Sequence, residues 1–206
     1  MTIHSPPRCP RLLIPALLSG AFLVPALSCS DLCMSWKVRV AGTLDDARRS
    51  QAPLYAPTAF ARATELASKA EQECRVQRSR FFLSRSYELA ERLYTSARDA
   101  GLDSEREARM NRGIARQEAL NARYSAGAAV DDARIALLRA RNAAGDPAAH
   151  SLLERLDRLR QALGKLQERI DGADYLAARE MGLRIREEAV RVEADADRRV
   201  LAPRAR

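Results

Sequence analysis

Residues 151–170 read SLLERLDRLRQALGKLQERI, and this stretch decides the fold class. Leu152, Leu156, Leu159, Leu163, Leu166 and Ile170 recur at alternating intervals of four and three, which keeps one apolar stripe on a single helix face. Charged residues and glutamines fill most other positions, so the stretch predicts a coiled-coil seam laid against a partner helix. Gly172-Ala173-Asp174 then supplies a helix stop and a cap, and a further helix follows with Ala178, Met181, Ile185, Ala189 and Val192 inward. Upstream, Gly145-Asp146-Pro147 repeats the grammar of stop, cap and start.

The same punctuation organises the rest of the chain. Pro57 follows Tyr55-Ala56 and belongs to a first helical turn, where its missing N–H costs nothing. From there Phe60, Ala63, Ala67, Ala70, Cys74, Gln77 and Phe81 form one stripe. The seam resumes, shifted, at Ala90, Leu93, Ala97 and Ala100, which fits either a stutter in one long helix or a break near Arg80 to Ser86. Gly101, Leu102 and Asp103 or Ser104 read as a left-handed cap and a new start, predicting a tight turn between antiparallel helices. The next helix carries Ala108, Ala115, Ala119, Ala122, Ala126, Val130, Ala133, Leu137 and Ala140. Gly113 and Gly127 inside it are expected where a neighbouring helix approaches closely. Tyr87-Glu88-Leu89-Ala90 and Tyr175-Leu176-Ala177-Ala178 form a weak internal echo of tetratricopeptide character. The expectation is an all-α fold, with antiparallel long-helix hairpins in an elongated bundle or coiled-coil-like stack.

Composition agrees with that class. Aromatic residues make up 5% of the 206, and alanine dominates the apolar set, favouring helices packed through small side chains. The N-terminus carries a separate message: Arg8 and Arg11 precede an apolar run from Leu12 to Leu27, the layout of a secretory signal, interrupted by Pro15 and Pro25. Ala26-Leu27-Ser28-Cys29 resembles the lipobox of bacterial lipoproteins, with Leu one position late. The resemblance implies acylation of Cys29, and Ser30 in place of a retention Asp implies the periplasmic face of an outer membrane. The other reading is an ordinary signal peptide cut near Ser28. The domains expected are a signal peptide over 1–28, an anchor and tether over 29–42 containing Trp36, a helical domain over 43–201 led by a minor helix from Thr43 to Ser50, and a basic tail over 202–206.

With Cys9 in the signal and Cys29 a lipid candidate, only Cys33 and Cys74 remain; Cys74 reads first as a small apolar core residue on its helix, and one bridge between the two in an oxidising compartment is the other reading. Removing the signal leaves 33 basic and 27 acidic residues, interleaved along helices in the manner of solvated faces and not of a nucleic-acid groove. Anionic headgroups or cell-wall acids are the expected counter-charges, particularly for Arg198, Arg199, Arg204 and Arg206.

Leu44 to Asn142, with Asp45-Asp46-Ala47, Leu54-Tyr55-Ala56-Pro57 and Ser86-Tyr87-Glu88-Leu89-Ala90, resembles a bacterial lipoprotein family with a helical domain of unknown function. In that family the module is often joined to a peptidoglycan-binding domain, which this chain does not continue into. The family carries no catalytic residue to transfer.

Catalytic, cofactor and metal sites are expected to be none. His150, the one histidine after the signal, reads as a surface residue in an opening helical turn near Pro147, and Asp131-Asp132 and Glu187-Glu188 are adjacent pairs that diverge on a helix. The candidate interaction surface is Tyr55, Phe81, Phe82 and Tyr87. The partners expected are the membrane, through lipid on Cys29, and another envelope protein or the chain itself; no nucleic acid or small-molecule substrate is expected. The function expected is a non-catalytic periplasmic scaffold. The alternatives are a soluble periplasmic protein self-associating through Leu152 to Ile170, and an accessory subunit or chaperone of a secretion or cell-wall machine.

Overall fold

The computed structural model describes residues 28–144 and 148–201, with side chains placed for 32–81, 83–141 and 150–199. All but Ser28 of the signal peptide expected over 1–28, the Gly145-Asp146-Pro147 turn, the 202–206 tail and the side chains of Cys29 and Phe82 lie outside the described residues. The fold is all-α: α1 (Ser28–Arg49), α2 (Ala52–Tyr55), α3 (Pro57–Ser79), α4 (Glu88–Ala144), α5 (Ala148–Asp171) and α6 (Tyr175–Leu201), with a 3-10 turn at Phe82–Ser84. No strand occurs among the described residues.

α4 is the spine. Its 57 residues correspond to about 85 Å at 1.5 Å per residue. Cys33 is bonded to Cys74 and Lys37 pairs with Glu71, so α1 runs antiparallel to α3. Trp36 lies against Tyr94, and Thr43 against Gly101, so α1 runs parallel to the first part of α4. Glu118 pairs with Arg179, and Ala122 touches Gly182, so α6 runs parallel to the second part. The result is an elongated up-down-up arrangement repeated twice along one helix, α1–α3–α4 at one end and α4–α5–α6 at the other. A small cluster of Ala47, Ala52, Tyr55, Ala56, Ala108 and Ala115, with Tyr175 packed on it, seals the junction.

The expected turn at Gly101 does not exist, since α4 continues through it. A Cβ at Gly101 would stand 2.9 Å from Thr43 Cγ2; the glycine admits α1 instead of ending a helix. Ser104 is fully buried and donates to the Gly101 carbonyl at 2.8 Å, within the helix, instead of capping a new one. The tether expected over 29–42 is helical as well, and the minor helix after Thr43 is the end of a 22-residue α1. Trp36 packs on the domain, 6.3 Å between ring centroids from Tyr94.

Of the two readings after Phe82, the break is the one found: residues 80–87 connect α3 to α4. Pro57 opens α3 as expected. At the α5–α6 turn, the left-handed residue is Ala173 at φ 59°, one place after the glycine. Asp174 N–H donates to Arg169 O and Ala173 N–H to Ile170 O, which closes the helix end.

Gly113 and Gly127 were expected at close contacts, yet a Cβ at either would meet nothing within 4 Å. Gly182 on α6 holds the close contact instead, with the Cβ and backbone of Ala122 at 2.8–3.1 Å from its would-be Cβ. Opposite outcomes therefore follow from one substitution type. Gly113→Ala and Gly127→Ala each raise stability by about 1 kcal/mol through helix propensity, whereas Gly182→Ala lowers it by about 1–3 kcal/mol through overpacking. Urea unfolding of the three variants checks the sign, and a destabilised Gly113→Ala would mean that this face is covered.

Candidate functional site

The α5 stripe is a packing surface. Leu152, Leu156, Leu159, Leu166 and Ile170 are buried, Leu163 is half-buried against them, and all pack with Val130, Leu137, Ile185 and Val192 of α4 and α6. Since α4 and α6 occupy this stripe, self-association through Leu152 to Ile170 loses its surface.

The four aromatic candidates are not brought together. Tyr55 is buried at the junction, its carbonyl accepting from Asn111 Nδ2 at 2.7 Å. Tyr87 is half-buried at the α1–α3–α4 end. Phe81 alone is exposed, and the Phe82 side chain lies outside the described residues. Burial pushes the Tyr55 and Tyr94 phenols above their ordinary range.

A different surface is built where the sequence held no expectation. On the outward side of α4, away from its alanines, Met110, Gly113, Gln117, Leu120 and Tyr124 recur at intervals of three and four. Met110 and Tyr124 are 61% and 80% exposed, and Ile114 and Leu120 lie beside them, also exposed. This is a second seam on the opposite side from the first, and alternating interval arithmetic over 110–124 would have found it.

An open groove of about 730 Å³ lies between α5 and α6. Leu159, Ala177, Met181 and Ile185 supply its apolar part, with Lys165, Arg169 and Arg184 on its rim beside Glu168. Arg169 is engaged by Asp174 at 2.7 Å. A smaller cleft of about 240 Å³ is lined by Trp36, Tyr94, Arg39, Arg98 and Glu91 among others. No histidine, cysteine or serine lines either one. His150 is exposed and lies 3.5 Å from Glu154. Among the described residues no group of three or more His, Cys, Asp or Glu is arranged to hold a metal ion, and no helix is long and apolar enough to cross a membrane.

The pair Glu187-Glu188 was expected to be solvated, and Glu188 departs from this. Arg155 of α5 reaches across to α6, donating through Nε and Nη2 to Glu188 Oε1 at 3.1 and 2.7 Å and through Nη1 to Asp195 at 2.9 Å. Those hydrogen bonds from Arg155 hold the Asp195 carboxyl below its ordinary value. Because the folded value is depressed, this stabilisation is complete above the unfolded Asp value of about 3.9 and disappears as pH falls through the lower folded value. Arg155→Met is expected to cost about 1 kcal/mol near neutrality, discounted for partial exposure, and to flatten the acid limb of the stability curve below pH ~4. An unchanged acid limb would show that the fork does not form. Arg198, expected to face external acids, pairs with Asp195 at 2.7 Å.

The three-helix unit at the start of α4 also carries the disulfide, Cys33 to Cys74, with both residues buried. Cys74 is thus both a core residue and a bridge. Compared with known proteins, the chain matches no family model, no curated protein and no solved structure.

Proposed function

We propose that the chain is an exported envelope lipoprotein whose mature part is a non-catalytic helical scaffold, held at a membrane by its N-terminal end and offering the outer side of α4 to another envelope protein. The observation that carries this is the buried Cys33–Cys74 bridge, because such bonds persist in oxidising compartments and are rare where thiols are kept reduced. Arg8, Arg11, the apolar run to Leu27 and the Ser28-Cys29 pair are the matching address. An open helix face with Met110, Leu120 and Tyr124 exposed on it, and Gly113 and Gln117 between them, suits recognition of a partner helix, which would read it at intervals of three and four.

The test is the mass and detergent partitioning of the expressed protein beside Cys29→Ser, with thiol alkylation in intact cells. An acylated chain that loses its lipid in Cys29→Ser, and whose Cys33 and Cys74 resist alkylation until reduction, supports the reading. A chain whose Cys33 and Cys74 are alkylated without reduction overturns export; an unmodified, bridged chain beginning near Ser28 overturns the anchor alone and leaves a soluble periplasmic scaffold.

A further inference from the structure

The connection from α3 to α4 is short, and two of its apolar side chains are turned to the outside. Phe81 is 68% exposed and Leu83 76%. The loop is nevertheless held in place. Arg85 donates to the carbonyls of Arg80 at 3.0 Å and Arg78 at 2.9 Å, and the Ser84 hydroxyl donates to Phe81 O at 2.8 Å. Ser86 N–H donates to Oε1 of Gln77, a side chain buried at the end of α3. These polar contacts all serve the loop's own backbone, so Phe81 and Leu83 are displayed by a fixed turn instead of folding inward.

Charge and position give the display a direction. From Arg75 to Tyr87 the chain carries Arg75, Arg78, Arg80 and Arg85 and no acid. Cys33 is bonded to Cys74, and Cys29 stands one helical turn before Cys33 in α1. The start of α1 therefore lies level with the end of α3, beside this loop. Ser28 and Cys29, where the described chain begins, thus stand at the end where Phe81 and Leu83 are exposed.

We propose that residues 78–85 form a membrane-contact loop, in which Phe81 and Leu83 enter the interfacial layer of a bilayer and the flanking arginines meet anionic headgroups. Apolar side chains between cations, at the end of the molecule that holds Cys29, match such a surface in both hydrophobicity and charge. The contact would set the long axis of α4 upright from the membrane, because the disulfide fixes α1 against α3 directly above the loop. This inference rests on the reading that the N-terminal end faces a membrane, and the test separates the two.

Full-length Cys29→Ser, which lacks the lipid site, is mixed with vesicles of phosphatidylcholine alone or with added phosphatidylglycerol, and binding is read by flotation. Binding to the anionic vesicles is expected, with about tenfold or more lost in Phe81→Ser/Leu83→Ser and about fivefold lost for each of Arg78→Gln and Arg80→Gln. Since these side chains are exposed, thermal melting of the variants should stay at the parent value. A polarity-sensitive dye on Leu83→Cys, introduced into a Cys9→Ser/Cys29→Ser background, should shift to the blue on the same vesicles. Failure to bind, or binding that survives Phe81→Ser/Leu83→Ser, overturns the loop proposal even where cell fractionation finds the wild type exported and acylated. Vesicle binding lost in those variants, by a chain that cells keep inside with free Cys33 and Cys74, supports the loop's lipid affinity and overturns the envelope reading instead.

Discussion

Leu166→Asp is expected to unfold the α5–α6 half of the molecule while leaving the α1–α3 half folded. Leu166 is fully buried in an apolar cluster with Leu159, Ile170 and the α4 and α6 side chains. Replacing leucine removes about 2–5 kcal/mol of packing, and burying an uncompensated charge adds several more, together a large share of a domain's 5–15 kcal/mol. Amide exchange should show α5 and α6 unprotected and α3 still protected. Leu159→Asp should be milder, since Leu159 borders the open groove between α5 and α6 and a carboxylate there reaches water. Equal protection of α5 and α6 in wild type and Leu166→Asp would refute the buried seam.

The second large effect is expected from the disulfide, and it falls on the opposite half. Cys33 and Cys74 are 41 residues apart in sequence, and closing a loop of that length restricts the unfolded chain by about 4 kcal/mol on the chain-entropy relation. For a protein of this size that corresponds to a fall in melting temperature of about 10 °C in Cys33→Ser/Cys74→Ser or in reductant. The core around the bridge shows why it matters. Apart from Val40, Leu44 and Tyr94 it is built from alanines, with Trp36 and Phe60 only partly buried, whereas the other half has five buried seam residues from α5. A staple compensates where apolar volume is small. Reductant that leaves melting unchanged, or melts α5 and α6 first, would contradict this division.

Much of the fold was legible because helix period and punctuation are local signals. The Leu152 to Ile170 stripe and Pro57 could be read from their neighbours alone. Gly101 misled because a glycine followed by Leu-Asp-Ser carries the same local grammar whether it ends a helix or admits one beside it. A longer-range count would have corrected it. Ala90, Tyr94, Ala97, Gly101, Ser104 and Ala108 are all buried and follow one another by four and three without interruption, as a seam does when the helix does not stop. Gly113 and Gly127 misled in the opposite sense, since nothing local distinguishes an open glycine from a crowded one. Which aromatic residues would be exposed was equally hidden. Tyr55 and Phe81 both sit at helix ends, and only the Ala52–Ala56 turn packing on Ala108 and Ala115 buries the first.

By itself, then, the sequence determined that the chain is helical and that α5 has one buried stripe, because each rests on the spacing of near neighbours. Tertiary structure alone decided that α4 is continuous, that Cys33 meets Cys74, and that Phe81 and Leu83 stand exposed beside the start of α1. Those are matters of which helices lie side by side and in what register, and contacts between residues tens of positions apart are set by packing the whole chain at once.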